Sequence, residues 1–208
     1  MILFLDTISP LPEFSLFEDN KIIISQKIVF RPDDKMSDYI FTIYIELEKK
    51  FNLSKNLKYL ITCTGPGSYT ALRVGISFFS GLSISMKIPL IGISSVDLFK
   101  LNLNANELYS TALYICSSQN QKFICIFDKE SDKYKINKVQ DDKLMFKSDR
   151  SKIKNLLTNK DSLIVDANIK CRTINFKEII NQYIDSILLC PQPEIIEPIY
   201  ISNNKILN

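Results

Sequence analysis

The chain has 208 residues, 46% apolar and 24% charged, an ordinary globular balance with enough sequence for one large domain or two small ones. It contains no histidine, which excludes Ser-His-Asp and Cys-His nucleophile systems, HExxH zinc hydrolysis and Cys/His zinc fingers. The net charge of +3 is spread evenly, with 11 Lys+Arg against 10 Asp+Glu in residues 1–104 and 15 against 13 in residues 105–208, so no basic stripe marks a stand-alone nucleic-acid binder.

The opening MILFLDTISP predicts a buried strand over Met1 to Leu5, and it is too short and lacks the basic start of a signal peptide. Phe14 to Phe17 and Lys21 to Val29 flank Asp19-Asn20, a pair tolerant of positive φ, and predict a hairpin. Ser37 is the expected N-cap of a helix over Asp38 to Phe51. A strand over Leu57 to Cys63 follows, then the turn TGPGS and a helix over Thr70 to Met86. Next come a strand over Ile88 to Ile93 and a short helix capped by Ser94-Ser95. The order β-β-β-α-β-α-β-α matches one half of the fold shared by actin, Hsp70 and sugar kinases, and suits other α/β sheets too.

The polar NLNAN at 102–106 is the expected boundary between a first lobe, 1–104, and a smaller second lobe, 105–208. In the second lobe, strands are expected over Tyr109 to Cys116, Lys122 to Asp128, Lys133 to Val139 and Ser162 to Asp166. Helices are expected near 149–157 and 175–187, and the tail PQPEIIEPIYISNN reads as extended. The five cysteines form no CxxC pair and read as small buried apolar residues in a reducing cytosol. Charges interrupt every apolar run, so no membrane span is expected.

All five glycines lie between 65 and 92. Gly65, Gly67, Ser68 and Thr70 join a strand to a helix, which suits either an anion at free backbone N–H groups or a plain structural turn. The spacing is neither a Walker A loop nor a dinucleotide fingerprint. Asp6, ending the first strand, suits either a held metal or water, or a cap on the following turn. Arg73 could meet a phosphate, a partner carboxylate or a surface counter-charge.

The two long helices carry more information. On the first, Ile40, Ile43, Tyr44, Leu47 and Phe51 form a core stripe, leaving Tyr39, Phe41 and Ile45 over; Phe41 and Ile45 fall on a second face. On the second, Ser77, Gly81 and Ser85 recur every four residues, a spacing that admits close helix approach. A helix apolar on two faces is buried on both or awaits a partner.

The segment LITCTGPGSYTALRVGISFFSGLSISMKIPLIGISSVDLF resembles the signature region of the TsaB (YeaZ) family, whose pattern is a GPGSFTGLRIG-like loop and helix followed by an IPxxGVSS-like strand and turn. More weakly, MILFLDT resembles the family's opening strand, MSDYIFTIYIELE its first helix and EPIYIS its closing segment. The resemblance implies an α/β, two-lobed actin-like ATPase (ASKHA) fold, each lobe a mixed sheet with flanking helices and the second lobe degraded.

It further implies a cytoplasmic, non-catalytic subunit in the making of threonylcarbamoyladenosine (t6A) beside the tRNA anticodon, without a cofactor or metal of its own. The implied partners are the catalytic paralogue TsaD and the ATPase TsaE, with tRNA met only through the complex and self-pairing an open alternative for the isolated chain. The family's dimer face maps onto 37–51 and 70–86, hence onto Tyr39, Phe41, Ile45, Arg73, Ser77, Gly81 and Ser85. The sequence departs from the pattern at Ile8, at Met36 and at Ser117-Ser118-Gln119, where a DAR-like turn is usual. Rival readings are an actin-like sugar or acyl kinase, which would need glycine loops in both halves, a metalloprotease, which the absent histidines disfavour, and a homodimeric interaction protein without a tRNA role.

Overall fold

The structure is a computed structural model that describes residues 1–29, 31, 34–117, 121–131, 133–139, 153–161, 168–201 and 205–207. Strands β1 (Ile2–Asp6), β2 (Glu13–Glu18), β3 (Lys21–Lys27), β4 (Tyr59–Gly65) and β5 (Leu90–Ser94) form a sheet in the order β3-β2-β1-β4-β5. β1 pairs antiparallel with β2 and parallel with β4; β2–β3 is antiparallel and β4–β5 parallel. The expected hairpin turn is present, with positive φ of 49° at Asp19 and 57° at Asn20.

A second sheet repeats this arrangement. Strands β6 (Thr111–Cys116), β7 (Lys122–Asp128), β8 (Lys133–Val139), β9 (Asn155–Thr158), β10 (Lys170–Thr173) and β11 (Lys205–Leu207) run in the order β10-β9-β6-β7-β8-β11. β6 again has an antiparallel neighbour on one side, β7, and a parallel one on the other, β9. The helices are α1 (Met36–Phe51), α2 (Leu53–Asn56), α3 (Tyr69–Met86), α4 (Ser95–Leu101), α5 (Ala105–Leu108) and α6 (Phe176–Leu188).

β1 is buried on both faces, which explains its unbroken apolar run. Leu3 and Leu5 face the core under α1 and α3, with Ile40, Ile43, Tyr44, Leu47 and Phe79. Phe4, on the opposite face, belongs to a second core that joins both sheets through α4 and α6, and Phe99 meets Phe176 edge-on at 5.4 Å. Tyr114 and Leu156 anchor a third cluster on the outer face of the second sheet.

Several expectations are corrected. α1 begins at Met36 and not after Ser37; Lys35 occupies the N-cap without a side-chain cap bond, and the Ser37 hydroxyl bonds Asp38 instead. Asp34 organises the entry by accepting the Arg31 N–H and the Tyr39 hydroxyl. The helix expected near 149–157 is β9 over its described part. Ile153, Leu156 and Leu157 have helical spacing, yet Leu156 and Leu157 enter cores on opposite faces of the sheet, as a strand requires. The strand expected at Ser162 to Asp166 lies outside the described residues, as do 149–152. The Ser94 cap is present, its hydroxyl accepting the Asp97 N–H. Cys63, Cys116 and Cys125 are buried thiols, but Cys171 and Cys190 are exposed.

Candidate functional site

Two regions hold the residues singled out from the sequence. The first is the outer surface of α1 and α3. On α3 the buried side is Ala71, Leu72, Gly75, Ile76 and Phe79, while Arg73, Ser77, Gly81 and Ser85 are all exposed, one every four residues. Gly75 and Gly81 serve different ends. A Cβ on Gly75 would sit 2.7 Å from the Thr7 methyl, so this glycine lets α3 close onto the end of β1; a Cβ on Gly81 would meet nothing within 4 Å. Internal packing therefore accounts for Gly75 and not for Gly81.

Phe41 on α1 is 60% exposed, Ile45 is half-buried, and Ile84 on α3 is 79% exposed. Tyr39 is half-buried, and the hydrogen bond that its hydroxyl donates to Asp34 raises the phenol's pKa. The two helices are fixed to each other by Tyr44, edge-on to Phe78 at 5.5 Å and with its hydroxyl 3.8 Å from the Met86 sulfur. Ile84 was not singled out from the sequence. It lies three residues after Gly81 and seven after Ser77, so extending the small-residue row by one helical step finds it.

The second region is the corner where β1 and β4 end. Gly65 has φ of 122°, a backbone state that favours glycine, and a Cβ there would lie 2.8 Å from the Ile199 carbonyl oxygen. The chain after α6 crosses this corner as a strap. Gln192 accepts the Gly92 N–H through its side-chain oxygen, the Ile196 methyl covers Gly92, and the Ile199 N–H donates to the Thr64 carbonyl at 2.7 Å. The space beside Gly67 is taken by Ile8, Ser68 is buried, and Thr70 is exposed on α3. An actin-like fold implies a nucleotide against such loops. Here their glycines admit Ile199, Ile196 and Ile8, so these residues do not fit a phosphate cradle.

Asp6 is buried, and one carboxylate oxygen accepts the N–H groups of Ile8 and Ser9 at 2.8 and 3.0 Å, which is the turn-capping arrangement. Burial pushes its pKa up to about 6, against the pull of those hydrogen bonds, and Glu13 adds to the rise. Beyond it opens a cleft of about 380 Å³ whose lining includes Asp6, Glu13, Lys27, Lys160, Asp161 and Lys177. Glu13 of the first sheet and Lys177 of α6 form an ion pair across it at 2.9 Å. Beside it, Asn159 holds the Cys116 N–H and carbonyl and reaches Ser9 at 3.4 Å. Among the described residues, no group of three or more His, Cys, Asp or Glu side chains is placed to hold a metal ion.

The family model described as "TsaD: tRNA N6-adenosine threonylcarbamoyltransferase" matches residues 35–184, more than two thirds of the chain. The tRNA threonylcarbamoyladenosine biosynthesis protein TsaB of Buchnera aphidicola subsp. Schizaphis graminum (strain Sg) is 41% identical over 44 residues, which is 21% of this chain and 21% of that protein. YeaZ from Pseudomonas aeruginosa aligns over 96% of this chain and 99% of its own at 12% identity, with a TM-score of 0.59. A second Pseudomonas aeruginosa structure, described as having similarity to peptidase YeaZ, aligns over 97% and 99% at 11% identity, also with a TM-score of 0.59. The chain belongs to the TsaD family. At such low identity the two structures speak for the fold alone, and that fold is the two-lobed actin-like one.

Two of the residues at which the sequence departs from the resembled pattern lie in the interior. Ile8 is fully buried and lies against Gly67, while Met36 is buried in the core under α1. Ser117 is buried and exchanges bonds with Gln121, and 118–120 lie outside the described residues. No helix among the described residues is long and apolar enough to cross a membrane.

The raised pKa of Asp6 has a testable sign. Between its ordinary value of 3.8 and about 6, the folded chain binds a proton that the unfolded chain has lost, so stability falls as pH rises through this window. The full effect, present above pH 6, is about 3 kcal/mol. Asp6→Asn keeps an acceptor for the two N–H groups and cannot ionise. The variant's unfolding free energy, from urea denaturation, is therefore expected to gain on that of the native chain by most of that amount between pH 4 and pH 7.5. A difference independent of pH would refute this account.

Proposed function

We propose that this chain serves t6A biosynthesis as a non-catalytic partner subunit. It docks on TsaD through the outer surface of α1 and α3 and helps form the surface that TsaE meets, in the cytoplasm, with tRNA reached only through the complex. The observation that carries this reading is the face itself. Phe41 and Ile84 stand exposed beside a small-residue row whose Gly81 has no internal contact to make. The filled glycine corner supports assigning the chain no step of chemistry, and it disfavours the kinase reading, which needs that corner open.

Depletion of the chain is expected to lower t6A in total tRNA, read by mass spectrometry of nucleosides, by more than tenfold. Its tagged form is expected to co-purify the TsaD-type subunit of the same cell at one-to-one stoichiometry. Unchanged t6A on depletion would leave the homodimeric interaction protein as the better reading.

A further inference from the structure

α3 carries a single charge in its 18 residues, Arg73, at its exposed surface. The guanidinium is held in place by aromatic groups. It lies over the Tyr69 ring at 4.0 Å from the centroid and 5.6 Å from that of Tyr200, and those two rings stack at 4.2 Å. Its Nε donates to the Tyr200 hydroxyl at 2.8 Å, tying the strap to α3. No acidic side chain among the described residues forms an ion pair with it. The chain thus fixes the orientation of a planar cation and engages Nε, and no described residue supplies a carboxylate for the terminal nitrogens.

Arg73 lies one turn from Ser77 on the row that runs through Gly81 to Ser85. A partner seated on that row would cover Arg73 as well, and a covered guanidinium without a counter-charge opposes association. A guanidinium fork held in a fixed plane matches the two oxygens of a carboxylate. Resting on the docking reading above, we infer that the partner presents an aspartate or glutamate to Arg73, received in a seat built from α3 and the C-terminal strap. Tyr200 acts as a positioning residue for this contact.

The test measures the affinity of the purified chain for its TsaD-type subunit in nucleotide-free buffer. Arg73→Gln is expected to weaken binding about tenfold and Arg73→Glu about a hundredfold, while Tyr200→Phe, which keeps the ring and loses the Nε bond, weakens it about threefold. Single neutralisation of the subunit's exposed acidic residues is expected to find one whose loss does not add to that of Arg73→Gln. The melting temperature of each variant controls for folding. Native affinity in Arg73→Glu, or strictly additive losses with every acidic residue, would overturn the inference. So would a loss confined to self-association or to tRNA binding. Gly81→Phe separates the two claims. If it weakens pairing and Arg73→Glu does not, the inference fails and the docking reading stands. If neither does, the docking reading fails.

Discussion

Gly81→Phe is expected to leave the fold intact and to reduce pairing with the TsaD-type subunit by at least a hundredfold. Neither half of that result is usual for a bulky residue placed on a helical glycine. A Cβ at Gly81 meets nothing within 4 Å, so a ring there projects away from the chain's own core. Removing the helical glycine even contributes stability, about 1 kcal/mol for Gly81→Ala. The cost falls on the partner, whose backbone would approach the row of Ser77, Gly81 and Ser85 and cannot pass a phenyl ring. Gly75→Ala provides the internal contrast. It gains the same helix propensity but drives a methyl to 2.7 Å from the buried Thr7 side chain, and overpacking of this kind costs about 1–3 kcal/mol. Chemical denaturation of both alanine variants and calorimetric titration of the phenylalanine variant check these outcomes. A destabilised Gly81→Ala, or native affinity in Gly81→Phe, would refute the assignment of this glycine to an outward contact.

Lys177→Met is expected to lower stability by about 3 kcal/mol, the scale for leaving one partner of a buried pair uncompensated. Glu13 is 8% and Lys177 17% exposed, so neither charge is well solvated, and Asp6 beside Glu13 adds further negative charge. The lysine occupies the first turn of α6, where the helix dipole disfavours a cation by roughly 0.3–1 kcal/mol. Its presence there follows from Glu13, which lies 164 residues earlier on β2. Glu13→Gln in the Lys177→Met background is expected to restore most of the loss, because the orphaned charge is then gone. Unfolding free energies from urea denaturation of the native chain and the two variants settle the matter. A loss below about 1 kcal/mol, or no recovery in the double variant, would show that the pair is screened as surface pairs are.

The first sheet was legible because β1, β2 and β4 are buried along nearly their whole length and read as apolar runs. β1 is apolar on both faces, the hairpin turn declares itself in Asp19-Asn20, and α3 follows a glycine turn. The second sheet was less so. β10, the segment KCRT, is exposed at every position and shows no alternation, so only its pairing with β9 makes it a strand. β9 misleads because a strand buried on both sides places two leucines in succession, which also fits a helix face. The one-turn helices α2 and α5 are too short for any apolar period to show.

The exposed row on α3 was visible as a spacing of small side chains. The glycine corner was not, because what fills it comes from distant parts of the chain, Ile8 from before it and Ile196 and Ile199 from more than a hundred residues after. A local motif displays the shape of a turn and not the identity of the atoms lodged against it. Arg73 was recognised as a reaching charge, but its setting depends on Tyr200, a contact across 127 residues that no spacing rule discloses.

The strap that crosses Gly92 and Gly65 follows α6, yet it closes the sheet that begins the chain. During synthesis, the first lobe thus waits, its β4 and β5 ends bare, until Tyr200 has cleared the ribosome. Such long-range closure slows assembly and prolongs exposure of unfinished apolar edges. A fragment cut at the connection between the sheets would carry that gap permanently. The two sheets are separate, yet the first is completed by a segment that follows the last helix of the second.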